Sequence, residues 1–478
     1  MDQENIEKKE DIITEKQDLQ KEEEFKKKAR EISIKEGSAN GISEGFGSRY
    51  ITPYALALGA NNIYIGFLNS LPSLLGNFSK LYTIKVMWKT KRKKIAFLGS
   101  LSQAFTWLLI ILVGFMFSVI NLNSTMTHIF LILIYSILVV CGAFYGPAWN
   151  SWMKDIVTRE SGRYFGRRNR IIGTVTLVSM LIAGFILDYF RNTKIFIGFA
   201  ILFTLAFVSR AISSMFFLKK YEPEFKPEKE YYFSFLEFSK KMPYTNFGRF
   251  VIFTSLMQLA TTIASPFFAV YMLKHLNFNY ITYTIMIVSS SLVSLLFMPV
   301  WGKFADSYGN IKVIKICSFL ISFIPLLWLA SPLIIKYFPF ILLPYLILVE
   351  VFSGFAWAGF NLSSSNFVYD AVTRQRMALC VSYYNIIEGI GVFIGATLIG
   401  GLITSRSFIF FSLNPILFVF LLSGIARLIV ALIMNVKIKD VRQVKKFGIK
   451  EAKEKILALT PGKFLRDLDV KILKSKQV

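Results

Sequence analysis

The chain has 478 residues, of which 54% are apolar and only 18% charged, and it carries a formal net charge of +25. A water-soluble protein of this length normally has about 45–50% apolar and about 25% charged residues, and surface scales too slowly with volume for a core in water to hide so much hydrocarbon. The cations flank apolar runs instead of forming one face, which argues against nucleic acid as a partner.

In chain order, residues 1–37 alternate Lys and Glu with sparse apolar residues. They lack the apolar stretch and cleavage site of a signal peptide, and read as a solvated, charged arm. Twelve apolar stretches follow, near 38–60, 63–84, 95–119, 127–151, 171–190, 195–218, 248–273, 280–301, 313–334, 338–363, 379–403 and 409–434. Most are long enough to cross about 30 Å of hydrocarbon, which takes roughly 20 helical residues. Backbone groups in lipid must bond within their own segment, so the expectation is an all-α membrane protein of about twelve transmembrane helices. Cys141, Cys317 and Cys380 lie inside these runs without paired spacing, and suggest neither disulfides nor a zinc site.

Loops after even-numbered spans are basic: Lys85 to Lys94, then Lys154 to Arg170, then Lys303, Lys312 and Lys315, then Arg374 and Arg376. Loops after odd-numbered spans carry few Lys or Arg. Cations are retained on the cytoplasmic side, so both termini are expected there, with the basic tail 435–478 against lipid headgroups. A polar linker at 219–247 divides the spans six and six. Its YYFSFLEF stretch suits a short interfacial piece.

The two sets of six are related. Asp155-Ile-Val-Thr-Arg159 after span four recurs as Asp370-Ala-Val-Thr-Arg374 after span ten, and Arg210 in span six recurs as Arg427 in span twelve. Such a repeat implies a twofold axis along the membrane normal and a shared cavity near mid-depth.

This layout resembles the major facilitator superfamily. The most specific match is Gly302-Lys-Phe-Ala-Asp306-Ser-Tyr-Gly309-Asn-Ile-Lys312, similar to that family's G-x-x-x-D-x-x-G-x-[RK]-[RK] loop motif. The resemblance implies two pseudo-symmetric six-helix bundles and a gating latch in which Asp306 caps a helix N-terminus and pairs with a cation. Asp155, Arg163, Asp370 and Arg376 are the other expected gating residues. The first-half copy, Val86 to Lys94, keeps the basic end but lacks the Asp and Gly.

Ionisable groups deep in a membrane are functional candidates by default. Arg49 and Glu350 lie about halfway along spans one and ten, with Glu44 nearer the basic side and Glu388 in span eleven. The resemblance places spans one, four, seven and ten around the cavity. Its expected lining therefore adds Tyr145, Trp149, Asn150, Gln258, Thr261, Thr262, Ser265, Trp357 and Asn361. Arg210 and Arg427 are expected to snorkel to headgroups or pair with Asp155 and Asp370. His128 and His275 fall near outer loops, so a carboxylate must carry any coupling proton, Glu350 first. Pro53, Pro147, Pro266 and Pro299 interrupt spans, and Gly391-x-x-x-Gly395 permits close helix approach.

No phosphate loop, zinc-binding helix pair or nucleophile elbow appears, which argues against an enzyme or a P-loop pump. The reading is a monomeric secondary transporter in the plasma membrane, probing a small-molecule substrate by alternating access among membrane lipids. It needs no cofactor and is proton coupled, and efflux is favoured over uptake as its direction. A receptor on a carrier fold and a lipid translocase are the alternatives.

Overall fold

A computed structural model describes residues 2–158, 161–192, 194–224, 233–373, 376–406, 414–434 and 438–441. The middle of the linker and nearly all of the basic tail lie outside the described residues. Among the described residues every regular element is helical.

Twelve successive segments run back and forth. α1 is Asp2–Phe46, continued after a 3-10 turn by Ile51–Ala57. The rest of the first half is α2 (Asn62–Met87), α3 (Arg92–Ser118), α4 (Ser124–Ile156), α5 (Ser161–Phe190) and α6 (Ile195–Lys219). The second half is α7 (Asn246–His275), α8 (Tyr280–Tyr308), α9 (Asn310–Tyr337), α10 (Pro339–Ala371), α11 (Met377–Phe393, continued to Thr404) and α12 (Pro415–Met434). Ten of these are long and apolar enough to cross a membrane. The exceptions are α1, broken and charged at mid-depth, and α2, which carries Asn69, Ser70, Asn77, Ser79 and Lys80. Large side chains such as Phe105, Phe185, Leu348 and Ile433 stand exposed on the outer surface, where only lipid would cover them favourably.

The halves repeat each other in packing. α2 with α4, α3 with α4, α3 with α6, α1 with α6 and α1 with α5 each has its counterpart six helices later. Between the halves, α5 lies on α8 and α2 on α11, again as a matched pair. One hydrogen bond makes the repeat explicit. Ser43 Oγ in α1 donates to the Ala206 carbonyl in α6 at 2.9 Å, and Ser423 Oγ in α12 donates to the Ala260 carbonyl in α7 at 2.6 Å. Both pairs span 163 residues, with donor and acceptor exchanged between the helices.

Three elements depart from expectation. α1 runs unbroken through the arm boundary at 37, and Ala29, Ser33 and Glu36 are buried where a solvated arm was expected. Their partners are Ile156, Tyr164 and Arg168 at the basic ends of α4 and α5: Arg30 Nη1 donates to the Ile156 carbonyl, Tyr164 Oη to the Arg30 carbonyl and Arg168 Nε to the Ser33 carbonyl. The linker's Phe235–Lys241 helix packs Phe238 on Tyr383 of α11. α8 continues to Tyr308, so most of the loop motif is helical.

Candidate functional site

The site begins with the break in α1. A Cβ at Gly47 would strike the Trp107 ring and the Ser43 carbonyl, so only glycine lets α1 approach α3 there. Pro53 has no N–H to offer the Arg49 carbonyl four residues back, which leaves the chain free to tighten into the 3-10 turn Ser48–Tyr50. That turn presents Arg49 to a cavity of about 470 Å³ between the halves. Arg49 Nη2 meets Glu44 Oε1 at 2.8 Å, with both side chains open to the cavity. The first half also contributes Asn40, Arg168, Asn169 and Thr176, and the second contributes Ser290, Ser294, Gly354 and Trp357. Glu350, on α10, lies near Ser290 on α8, which lines the cavity.

The cavity runs toward the face that carries the basic loops and is closed toward the other. Tyr50 Oη lies 2.6 Å from both the Met180 carbonyl and Thr284 Oγ1 of the second half. Farther out, Asp188 at the end of α5 accepts from the Tyr280 and Ile281 amides at the start of α8, at 2.6 and 2.8 Å. Asn62 donates to the Thr404 carbonyl, Ser70 bonds Thr397, and Lys274 donates to the Ala60 carbonyl. Together these bonds seal the outer face.

Two further polar sites are present, of which the first adjoins this cavity. A pocket of about 210 Å³ inside the first half shares Asn40 and Glu44 with it, and adds Gln103, Tyr145 and Arg210. Glu388 on α11 accepts from Tyr384 Oη at 3.4 Å, with Gln258 of α7 and Lys80 of α2 nearby. Lys80 Nζ donates to Asn77, whose amide donates across to the Asn385 carbonyl.

The family model of the Major Facilitator Superfamily matches residues 40–249 and again 250–475. The chain belongs to the major facilitator superfamily. Its fold is similar to a point variant of the nucleoside transporter NupG, with a TM-score of 0.65 at 15% identity over 85% of this chain and 100% of that one. It is also similar to a bacterial homologue of the iron transporter ferroportin in an inward-facing state, with a TM-score of 0.63 at 10% identity over 87% and 98%. A bacterial homologue of the lysosomal transporter Spinster, inward-facing and unoccupied, gives 0.56 at 13% over 86% and 94%. No curated protein is matched by sequence.

The superfamily's loop motif takes a form the sequence did not foretell. Gly302 lies within α8, not in a turn, and a Cβ added there would make only ordinary contact with Leu362. Asp306 is exposed on the last turn of α8 and, among the described residues, caps no helix N-terminus. That bond belongs to Asp440, which accepts from the Ile311 amide at 3.0 Å. Gly309 makes the turn at φ +97°, and a Cβ there would also strike the Asp440 carboxylate. Lys312 lies over the Tyr308 ring.

The first half uses the same plan with different residues. Glu222, just beyond α6, accepts from the Arg92 amide at the start of α3. Arg92 is fully buried and meets Asp155 at 2.6 Å, where the second half sets Asn310 against Asp370 at 2.9 Å. Neither Asp155 nor Asp370 pairs with the arginines of α6 and α12 as expected. Arg210 and Arg427 instead turn inward and are buried. Arg163 and Arg376 are exposed.

Of the predicted lining, Arg49, Glu44 and Trp357 meet in the large cavity, and Tyr145 faces the smaller pocket. Glu388 and Gln258 meet each other. Trp149 instead lies under Arg168 and beside Lys220 at the basic end, while Asn150 and Asn361 are exposed. Sequence reasoning missed Ser290, Ser294, Lys80, Gln103, Glu222 and Asp440. A polar residue recurring within α2 and α8 was the available signal for the first three.

Proposed function

We propose that the protein is a monomeric secondary transporter of the plasma membrane, with both termini cytoplasmic, that carries a small solute by alternating access. One observation carries this reading: a polar cavity between two pseudo-symmetric halves, open toward the basic loops and closed opposite by a short list of breakable hydrogen bonds. Solute enters beside Arg49, Glu44 and Trp357; rocking about the α5–α8 and α2–α11 seams then exchanges the open face. Glu350 and Glu388 are the coupling candidates, because each is a carboxylate at mid-depth beside polar side chains, Ser290 for Glu350 and Tyr384, Gln258 and Lys80 for Glu388. Lipid surrounds the outer surface, and the chain needs no cofactor for this work.

Flux of a solute library into proteoliposomes under an imposed pH gradient tests the reading. Glu350→Gln should abolish gradient-driven accumulation of the carried solute. Undiminished accumulation in that variant would remove Glu350 from coupling.

A further inference from the structure

Three arginines are buried among the described residues: Arg92, Arg210 and Arg427. A guanidinium taken out of water needs a compensating charge or a full set of acceptors. Arg92 has carboxylates, Asp155 at 2.6 Å and Glu222 at 3.5 Å. Arg427 is sealed by Ser423 Oγ and by the Ile321 and Thr261 carbonyls at 3.0 to 3.2 Å, and lines neither cavity. Arg210 differs from both. Its partners are all neutral side chains, Gln103 Oε1 at 2.7 Å, Tyr145 Oη at 2.6 Å and Ser213 Oγ at 3.1 Å, and it lines the pocket of about 210 Å³ inside the first half.

We infer that this pocket is a binding site for the oxyanion group, carboxylate or phosphate, of a small solute, with Arg210 supplying the charge. The only carboxylate in the lining is Glu44, and Arg49 already neutralises it at 2.8 Å, so the pocket's net charge is that of Arg210. Asn40 and Ser48 add neutral donors, and Tyr145 Oη, which accepts from Arg210, keeps its own proton to give. Gln103 and Tyr145 hold the guanidinium plane in place, which suits two-point recognition of an oxyanion. Asn40 and Glu44 line the large cavity as well, so the Glu44–Arg49 pair stands at the junction of the two. The inference rests on the transport reading only for how the solute arrives.

The test uses the purified full chain in detergent. Inorganic phosphate and, separately, acetate are titrated against chloride at constant ionic strength while thermal unfolding is followed. Wild type should show a saturating rise in unfolding temperature with at least one oxyanion, and which one does so separates phosphate from carboxylate. Arg210→Gln should lose the rise, and Arg427→Gln should keep it. Should Arg210→Gln fail to fold, Tyr145→Phe carries the test, with an apparent dissociation constant raised about 5- to 10-fold by loss of one hydrogen bond. No oxyanion-dependent rise in wild type, or an equal rise in Arg210→Gln or unweakened binding in Tyr145→Phe, overturns the site. Saturable binding without flux of any solute in vesicles keeps the site and sinks the transport reading; wild-type flux in Arg210→Gln of a solute bearing an oxyanion does the reverse.

Discussion

Tyr50 Oη and Thr284 Oγ1 lie 2.6 Å apart and join α1 of one half to α8 of the other, directly beyond Arg49. Three short contacts, to Met180, Thr284 and Tyr280, share only two hydroxyl protons, so the closure is held by a bond that can be remade elsewhere. Tyr50→Phe removes it while keeping the ring. A neutral hydrogen bond contributes about 1 kcal/mol, so opening at the outer face should become roughly fivefold more frequent. Hydrogen exchange should then quicken in the segment from Tyr280 to Thr284, with the basic-face ends of α3 and α9 unchanged.

The Arg92–Asp155 pair makes a stability prediction. Breaking a fully buried pair costs about 3–5 kcal/mol, but Asp155 is 40% exposed and Glu222 stays behind. Discounted for solvent screening, Asp155→Asn should cost about 1–2 kcal/mol. Thermal unfolding in detergent measures it. An unchanged midpoint would mean that Glu222, Ser151 and the Pro223 carbonyl satisfy the guanidinium without Asp155.

Much of this was legible in residue order. Helix length and the siting of Lys and Arg gave the twelve segments, and the Asp155/Asp370 and Arg210/Arg427 recurrences gave the twofold repeat. Mid-depth placement found Arg49 and Glu44, because charge that far from water is rare. Periodicity could not say which way a helix turns about its own axis. Trp149 therefore went to the cavity on paper and to Arg168 in space, and Arg210 was turned outward when its partners lie inward. The capping roles of Glu222 and Asp440 were hidden because they join residues about 130 positions apart.

Lys220 yields a pH prediction. Among the described residues its ammonium has no hydrogen-bond partner, and it lies over Trp152 at 4.4 Å, with Trp149 and Phe217 beyond. Burial pulls its pKa down to about 7 against the pull of Glu36, and Arg168 lowers it further. The aromatic faces act the other way, favouring the charge. With the folded value depressed, the unfolded chain binds more protons between about 7 and the ordinary value of 10.5, so stability rises with pH across that window. Thermal unfolding of wild type should show that rise, and Lys220→Met should flatten it and be the more stable at pH 7. A lower midpoint for Lys220→Met with an unaltered slope would show the aromatic cage to be the stronger influence.

Spin-label distances test reciprocal opening most directly. In a background lacking Cys141, Cys317 and Cys380, one label pair at Asn121 and Phe338 reports the outer face and another at Lys89 and Ser307 the basic face. Across acidic and alkaline pH and a solute library, the account predicts two populated distances for each pair, with the outer one lengthening as the basic one shortens. A single fixed distance for both pairs under every condition, or both lengthening together, would contradict it.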